Sequence, residues 1–327
     1  MDEKMAIQIE ALRKYIEDRY GAPGIVYLDM QVKRVRLLVY SEEFNQYIEN
    51  QIPYIISTDP SERQDATIVL WKEQDDAAPD IIREYDEKTE TYYYGVKNLE
   101  YEEFIKQGHF LVQTFYKILN TGHSSLVHGA VVGMDGEGVL LCARGQRGKS
   151  TLTVLSMFRG MEYVSDDYLL LENDENNQVF ASPIYSIITL SPFMTEKMKN
   201  ELSGAMKLGN NARKDKFVFN ISCMHGSFRK HYPIRALVFP EIMECDRPFI
   251  RKATTLEKGR AMTQILHSTA VQMGSERDTA GTRKLIGMIH QFDCYFMGLS
   301  ADIEQNAQLL KEFVGRREYN NNEVQAE

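Results

Sequence analysis

The run Val139-Leu140-Leu141-Cys142-Ala143-Arg144-Gly145-Gln146-Arg147-Gly148-Lys149-Ser150-Thr151 passes from a short apolar strand, through a loop with two glycines, into the start of a helix. Residues Ala143 to Ser150 fit the phosphate-loop pattern G-x-x-x-x-G-K-[ST], with alanine in place of the first glycine. Such a loop turns backbone N–H groups inward around phosphate oxygens, which calls for glycine at positions of unusual φ and ψ. Gly148 then opens a helix whose N-terminus carries partial positive charge. In that arrangement Lys149 reaches the β- and γ-phosphates of a nucleotide and the Ser150 hydroxyl binds Mg²⁺. The predicted nucleotide cradle is therefore Ala143, Arg144, Gly145, Gln146, Arg147, Gly148, Lys149, Ser150 and Thr151. The competing reading is an ordinary strand-to-helix turn with a surface lysine, and the strand before and helix after favour the phosphate loop. A guanidinium at Arg144 or Arg147 would match phosphate bidentately, but solvated loop charges are the simpler expectation there.

Working outward, Ser150–Phe158 reads as the helix, stopped at Gly160, and Tyr163–Ser165 as a further strand that ends in Asp166-Asp167. The crossover is expected to set Tyr163–Ser165 close beside the loop strand and so bring the acidic pair to the phosphate site. One carboxylate can then hold Mg²⁺ while the other orients and deprotonates an attacking hydroxyl. Without the loop beside it, the pair would read as a strand-ending turn with two exposed aspartates. Upstream, His128 falls within a predicted strand Leu126–Val132, followed by a turn over Met134–Gly138 and the strand Val139–Cys142. A histidine on an apolar strand is either a satisfied core residue or, through that hairpin, a group aimed at Asp166 and Asp167. Both readings stand at this point.

His128-Gly129, Ala143–Ser150 with Thr151, Arg159-Gly160 and Val164–Asp167 together resemble the catalytic domain of the HPr kinase/phosphorylase family, whose motifs run in that order. The match covers residues 125–172, and Ile234–Pro240 resembles a further strand of that family. The resemblance implies an α/β fold related to phosphoenolpyruvate carboxykinase, with ATP and Mg²⁺ as cofactors and phosphorylation of a serine hydroxyl. By motif position it makes Asp167 the base, places Asp166 and Ser150 at the metal, assigns Lys149 to the phosphates and has His128 support the carboxylate. Two family features are missing. Where a Glu-Ile-Arg-Gly-Leu-Gly-like run is expected, this chain reads Ala181-Ser182-Pro183-Ile184-Tyr185-Ser186, and the later arginine signature of the dephosphorylating activity is absent. The expectation is forward transfer with little or no phosphorylase activity, and these departures also speak against HPr itself as the substrate. The chain looks more similar to divergent members of modified-peptide biosynthesis, including kinases of a serine in lasso-peptide precursors.

The rest of the chain divides, on this reading, into an N-terminal α+β module over 1–98, a catalytic domain over 99–318 and a polar tail over 319–327. A helix is expected over 3–20, ending at Gly21, then strands Ile25–Met30, Val32–Tyr40, Tyr54–Ser57, Thr67–Trp71 and Thr91–Val96, with a helix over Glu42–Asn50. A second helical pattern runs over Glu100–Leu119. The basic run Lys33-Arg34-Val35-Arg36 would suit docking of an extended acidic peptide, or be only a solvated face. A formal charge of −9 repels nucleic acid and anionic membrane, so neither is an expected partner. No leader, no span of apolar residues and no C-x-x-C pair is visible, and four scattered cysteines read as buried free thiols of a cytoplasmic protein. A homo-oligomer is compatible with all of this. Three functions are carried forward: a serine kinase of a peptide or small protein, a kinase of a free hydroxyl compound such as an amino acid, and a nucleotide-gated regulator without transfer.

Overall fold

The computed structural model describes residues 3–60, 63–97, 109–120, 123–211, 215–224, 228–273, 279–316 and 324–325, and the fold is mixed α/β. Helix α1 (Glu3–Tyr20) ends where Gly21 takes φ 73° and its N–H closes on the Glu17 carbonyl at 3.2 Å, a left-handed C-cap that suits glycine. Strands β1 (Gly24–Asp29), β2 (Arg34–Val39), β3 (Ile56–Ser57), β4 (Ala66–Lys72), β5 (Ile81–Asp86) and β6 (Thr91–Val96) form one sheet in the order β3-β1-β2-β4-β6-β5. Period-two patterning orients it: Val35, Leu37 and Val39 of β2 are buried on one face, leaving Arg34, Arg36 and Leu38 on the other. The inner face is covered by α2 (Glu43–Gln51) through Phe44, Tyr47 and Ile48.

Two expectations change here. Pro53–Ile55 forms a 3₁₀ turn rather than strand, with proline at its first position, so only Ile56 and Ser57 pair. Strand β5 has no counterpart among the expected elements, because its Arg83-Glu84 pair breaks the apolar period that marks a strand. Of the basic run, Arg34 to Arg36 lie in β2, an interior strand paired on both sides, and Lys33 stands just before it. Lys33 meets Asp65 at 3.5 Å and Arg34 meets Asp29 at 3.4 Å.

After α3 (Val112–Leu119) come β7 (Ser124–His128), β8 (Ala130–Met134), β9 (Glu137–Leu141), α4 (Lys149–Phe158), β10 (Glu162–Ser165), β11 (Tyr168–Asn173) and β12 (Val179–Pro183). The part of the predicted helix before residue 109 lies outside the described residues. β13 (Ile187–Leu190), α5 (Pro192–Lys197), β14 (Met206–Asn211), β15 (Lys216–Asn220), β16 (Tyr232–Ile242), β17 (Phe249–Lys252), α6 (Thr255–Met273), α7 (Thr279–His290), β18 (Asp293–Leu299), α8 (Ile303–Gly315) and β19 (Val324–Gln325) complete the order. The main sheet runs β10-β8-β9-β16-β12-β11-β7, with β18 beside β16 and then β17 and β19, while β13, β15 and β14 form a small separate sheet. At the β8–β9 hairpin Asp135 (φ 53°) and Gly136 (φ 84°) are both left-handed, as a two-residue Asp-Gly turn requires.

The main sheet is apolar on both faces, as strands covered by helices must be. Val132, Val139 and Leu141 face Leu152, Leu155, Leu310 and Phe313 of α4 and α8, while Val131 and Leu140 face Ala261, Ile265 and Leu285 of α6 and α7. A third cluster joins Leu37 and Ile68 of the first sheet to Phe110, Phe115, Leu170 and Tyr185 beside the second.

Two expectations about the main sheet are corrected. The predicted strand Leu126–Val132 is broken at Gly129: β7 pairs with β11, whereas β8 pairs with β9 and β10. Secondly, β10 lies next to β8 and not beside the loop strand, because β9 has β8 on one edge and β16 on the other. The cysteines are all free, yet only Cys142 and Cys294 are buried, Cys223 being exposed on a surface turn. Among the described residues no helix is long and apolar enough to cross a membrane.

Candidate active site

The central strand β9 delivers the loop. Cys142 is still bound to the sheet, its N–H donating to the Val238 carbonyl at 3.1 Å, and Ala143 is buried. Arg144 to Arg147 are then exposed, and α4 starts at Lys149 with Gly148 as its cap. Two loop residues are left-handed, Gln146 at φ 64° and Gly148 at φ 84°. Gly145 and Ala143 are not among the left-handed residues, which explains why alanine is tolerated at the first glycine position. Arg144 is held sideways by Gln264 of α6, its Nε donating at 3.1 Å, and Ser150 and Thr151 stand half-buried in the first turn of α4.

Gly148 is required twice over. Its φ is left-handed, and a Cβ built there would lie 3.0 Å from Leu299 Cδ1. Gly148→Ala is expected to cost about 1–2 kcal/mol from the backbone alone and to weaken nucleotide binding, read by thermal unfolding and by ATP titration. A variant equal to wild type in both would show that the loop does not use this conformation.

The side chain of Lys149 turns under the loop onto the acidic pair. Its Nζ lies 2.6 Å from Asp166 Oδ1 and 3.1 Å from Asp167 Oδ1. Asp166, the first residue beyond β10, is fully buried, and its Oδ2 has no hydrogen-bond partner among the described residues. Asp167 is itself left-handed at φ 73°, its carbonyl accepting from the Gly129 N–H at 2.9 Å. The chain changes ladders at Gly129, and there is no room for a side chain: a Cβ would meet Leu140 Cδ1 at 3.0 Å and the Leu141 carbonyl at 3.3 Å. His128 is brought to the site by β7–β11 pairing, opposite Tyr168, and its Nε2 lies 3.4 Å from Asp167 Oδ1. The structure therefore gathers Lys149, Asp166, Asp167 and His128 into one cluster.

His109 completes the surround of Asp167, and the sequence reading missed it. Its Nε2 lies 4.0 Å from Asp167 Oδ2, and its ring stands edge-on to Tyr168 and Tyr185, each with centroids 4.6 Å away. The Tyr185 hydroxyl donates to the Phe110 carbonyl at 2.6 Å, and the Phe110 N–H donates to Gln51 Oε1 at 3.1 Å. No spacing rule ties His109 to the loop; only a view of the tertiary contacts finds it.

Electrostatics follows from the geometry. Burial opposes the charge on Asp167, but Lys149, then the His128 hydrogen bond, and then the two histidines outweigh it, holding the carboxyl well below the usual range. Burial likewise opposes the Lys149 ammonium, but Asp166 and then Asp167 outweigh it and raise its pKa above the ordinary lysine value. A carboxylate depressed in the folded state stabilises the fold above its unfolded pKa of about 3.9 and loses that contribution as pH falls through the folded value. Wild type should therefore keep a higher denaturation midpoint than Asp167→Asn from about pH 8 down to about pH 5, and lose that advantage only below about pH 4. A difference that vanishes already near pH 6 would mean that Asp167 is not an ionised partner of Lys149.

The residues fit a magnesium nucleotide. No cluster of three or more His, Cys, Asp or Glu side chains suited to a metal occurs among the described residues. Mg²⁺ in phosphate sites needs none, since it is held by one or two carboxylates with phosphate oxygens and water. The orphaned Oδ2 of Asp166 is the acceptor such an ion would satisfy.

No family model matches the chain, and no curated protein matches it. Among solved structures it is similar to the HPr(Ser) kinase/phosphatase from Coxiella burnetii, at 14% sequence identity and a TM-score of 0.32, over 58% of this chain and 93% of that one.

Proposed function

We propose that the chain is an ATP- and Mg²⁺-dependent kinase that phosphorylates a serine hydroxyl of a peptide or small protein, a lasso-type precursor peptide being one such substrate. The observation that carries this is the cluster itself: a left-handed loop opening α4, with its lysine on two carboxylates and a histidine behind one of them. When bound, Mg²⁺ supplies charge neutralisation at the phosphates, and Ser150 and Asp166 would hold it. Lys149 would swing from the carboxylates to the β- and γ-phosphates. That move removes the largest of the attractions that depress the Asp167 carboxyl, so its affinity for a proton rises as the nucleotide arrives. Asp167 then accepts the proton of the serine hydroxyl while the serine oxygen takes the γ-phosphoryl group and ADP leaves. His128 keeps the carboxylate oriented throughout. The missing Glu and Arg runs support transfer in the forward direction only.

The test is to incubate the chain with Mg·ATP and serine-containing peptides, following intact mass and ADP. A gain of one phosphate on peptide supports the reading, and loss of that gain on Ser→Ala in the peptide fixes the acceptor. ADP formed with free serine but with no peptide would replace the substrate class by a small hydroxyl compound. ATP binding without any transfer would leave a nucleotide-gated regulator.

A further inference from the structure

A cavity of about 700 Å³ opens between α1 and the face of the first sheet, lined by α1, β2, β4, the β5–β6 hairpin and none of the residues of the loop site. Strand pairing sets two rows across its floor. One is polar, Arg36, Thr67 and Thr91; the next, two residues along, is Leu38, Val69 and Tyr93. Helix α1 packs Ile9 and Ile16 onto Val69 and Tyr93. The cavity thus has an apolar wall facing a polar one, and its volume is in the range of small-molecule sites.

Its charges do not balance. Arg13 and Glu17 pair with each other at 2.9 Å, and Asp86 accepts from the Lys88 N–H at 3.0 Å and the Thr89 hydroxyl at 2.8 Å within its own turn. Asp86 keeps its charge there, so what remains in the lining is Arg36, Lys14 and Lys88 against Glu10 and Asp86, an excess of one positive charge. Arg36 is the group held in place: its Nη2 donates to Thr67 Oγ1 at 3.2 Å, whereas its Nε is buried and has no acceptor among the described residues. A buried donor without an acceptor is costly, and a guanidinium edge suits a carboxylate bidentately.

We propose that this cavity binds a small monocarboxylate with an apolar body, the carboxylate on the Arg36 edge and the body against Ile9, Ile16 and Val69. A single negative charge satisfies the one ordered cation. A phosphate dianion would bring a second charge for which only exposed lysines are present. The site is separate from Lys149 and the aspartates, so its fate and that of the kinase reading are independent.

The probes are octanoate, octanol and octylamine, titrated by calorimetry into the 327-residue chain. Octanoate should bind at one site about tenfold or more tighter than octanol, since a charge-assisted contact of that kind is being added. Octylamine should bind more weakly than octanol. Arg36→Met keeps the aliphatic stem and should cost octanoate that factor while leaving octanol unchanged. Equal octanoate affinity in Arg36→Met, octylamine as tight as octanoate, or no saturable heat at millimolar octanoate would each overturn the proposal. Should the variant not fold, amide shifts in wild type decide the matter. Octanoate shifts confined to the amides of Ile9–Glu17, Arg36–Tyr40, Thr67–Val69 and Asp86–Tyr93 support the site, and shifts scattered elsewhere defeat it.

Discussion

Lys149→Ala is expected to lose phosphoryl transfer by about 10²–10³-fold, the loss seen when one charge-assisted contact leaves a transition state, or roughly 2.7–4 kcal/mol. The structure adds a second consequence. Lys149 is the cation that two aspartates share, one of them fully buried. Removing one partner of a buried ion pair strands the other and costs about 3–5 kcal/mol. The variant should therefore be less stable to denaturant as well as inactive. Adding Asp166→Asn removes the stranded charge and should restore much of the stability and none of the activity. That double variant separates the two effects. A single variant with near-normal turnover would show that the loop is not a phosphate site, and one with unchanged stability would show that the lysine does not rest on the carboxylates.

Asp167→Asn is the sharper test of chemistry. Asparagine tolerates the left-handed backbone that residue 167 adopts, and its amide oxygen still accepts from Lys149, so the fold should survive. What disappears is the proton acceptor, and transfer should fall by about 10²–10⁴-fold with ATP affinity unchanged in equilibrium titration. If ATP affinity fell in parallel, the metal-holding and proton-accepting roles of Asp166 and Asp167 would have to be exchanged.

The loop and the acidic pair are legible because their information is local: a strand, a fixed spacing, a helix and a second strand end. What lies beyond the sequence is contact between distant segments. His109 reaches Asp167 through tyrosines from β11 and from the loop beyond β12. The left-handed backbone at Gln146 and Asp167 carries no glycine to announce it. Tyr168-Leu169-Leu170-Leu171 is apolar on both faces, and such a run has no period that separates a buried strand from a piece of helix, so β11 cannot be read from it. The Leu126–Val132 run looks continuous since nothing in its composition shows that Gly129 changes ladders.

Gln51, at the end of α2, is buried between the two large sheets. Its side-chain oxygen takes the Phe110 N–H at 3.1 Å, its carbonyl takes the Ser186 N–H at 2.8 Å, and Phe44 and Tyr47 from the same helix lie against the Phe110 ring. Residue 109, whose imidazole faces the candidate base, is thus one peptide bond from an anchor supplied by the first hundred residues. A fragment beginning after them would carry the loop and both aspartates, yet Phe110, Phe115 and Tyr185 would meet water, and two backbone donors would lose their acceptor. The chain is consequently a poor candidate for dissection. Excising its second half as a minimal enzyme would yield a sticky fragment with a loosened histidine, whatever the first half turns out to recognise.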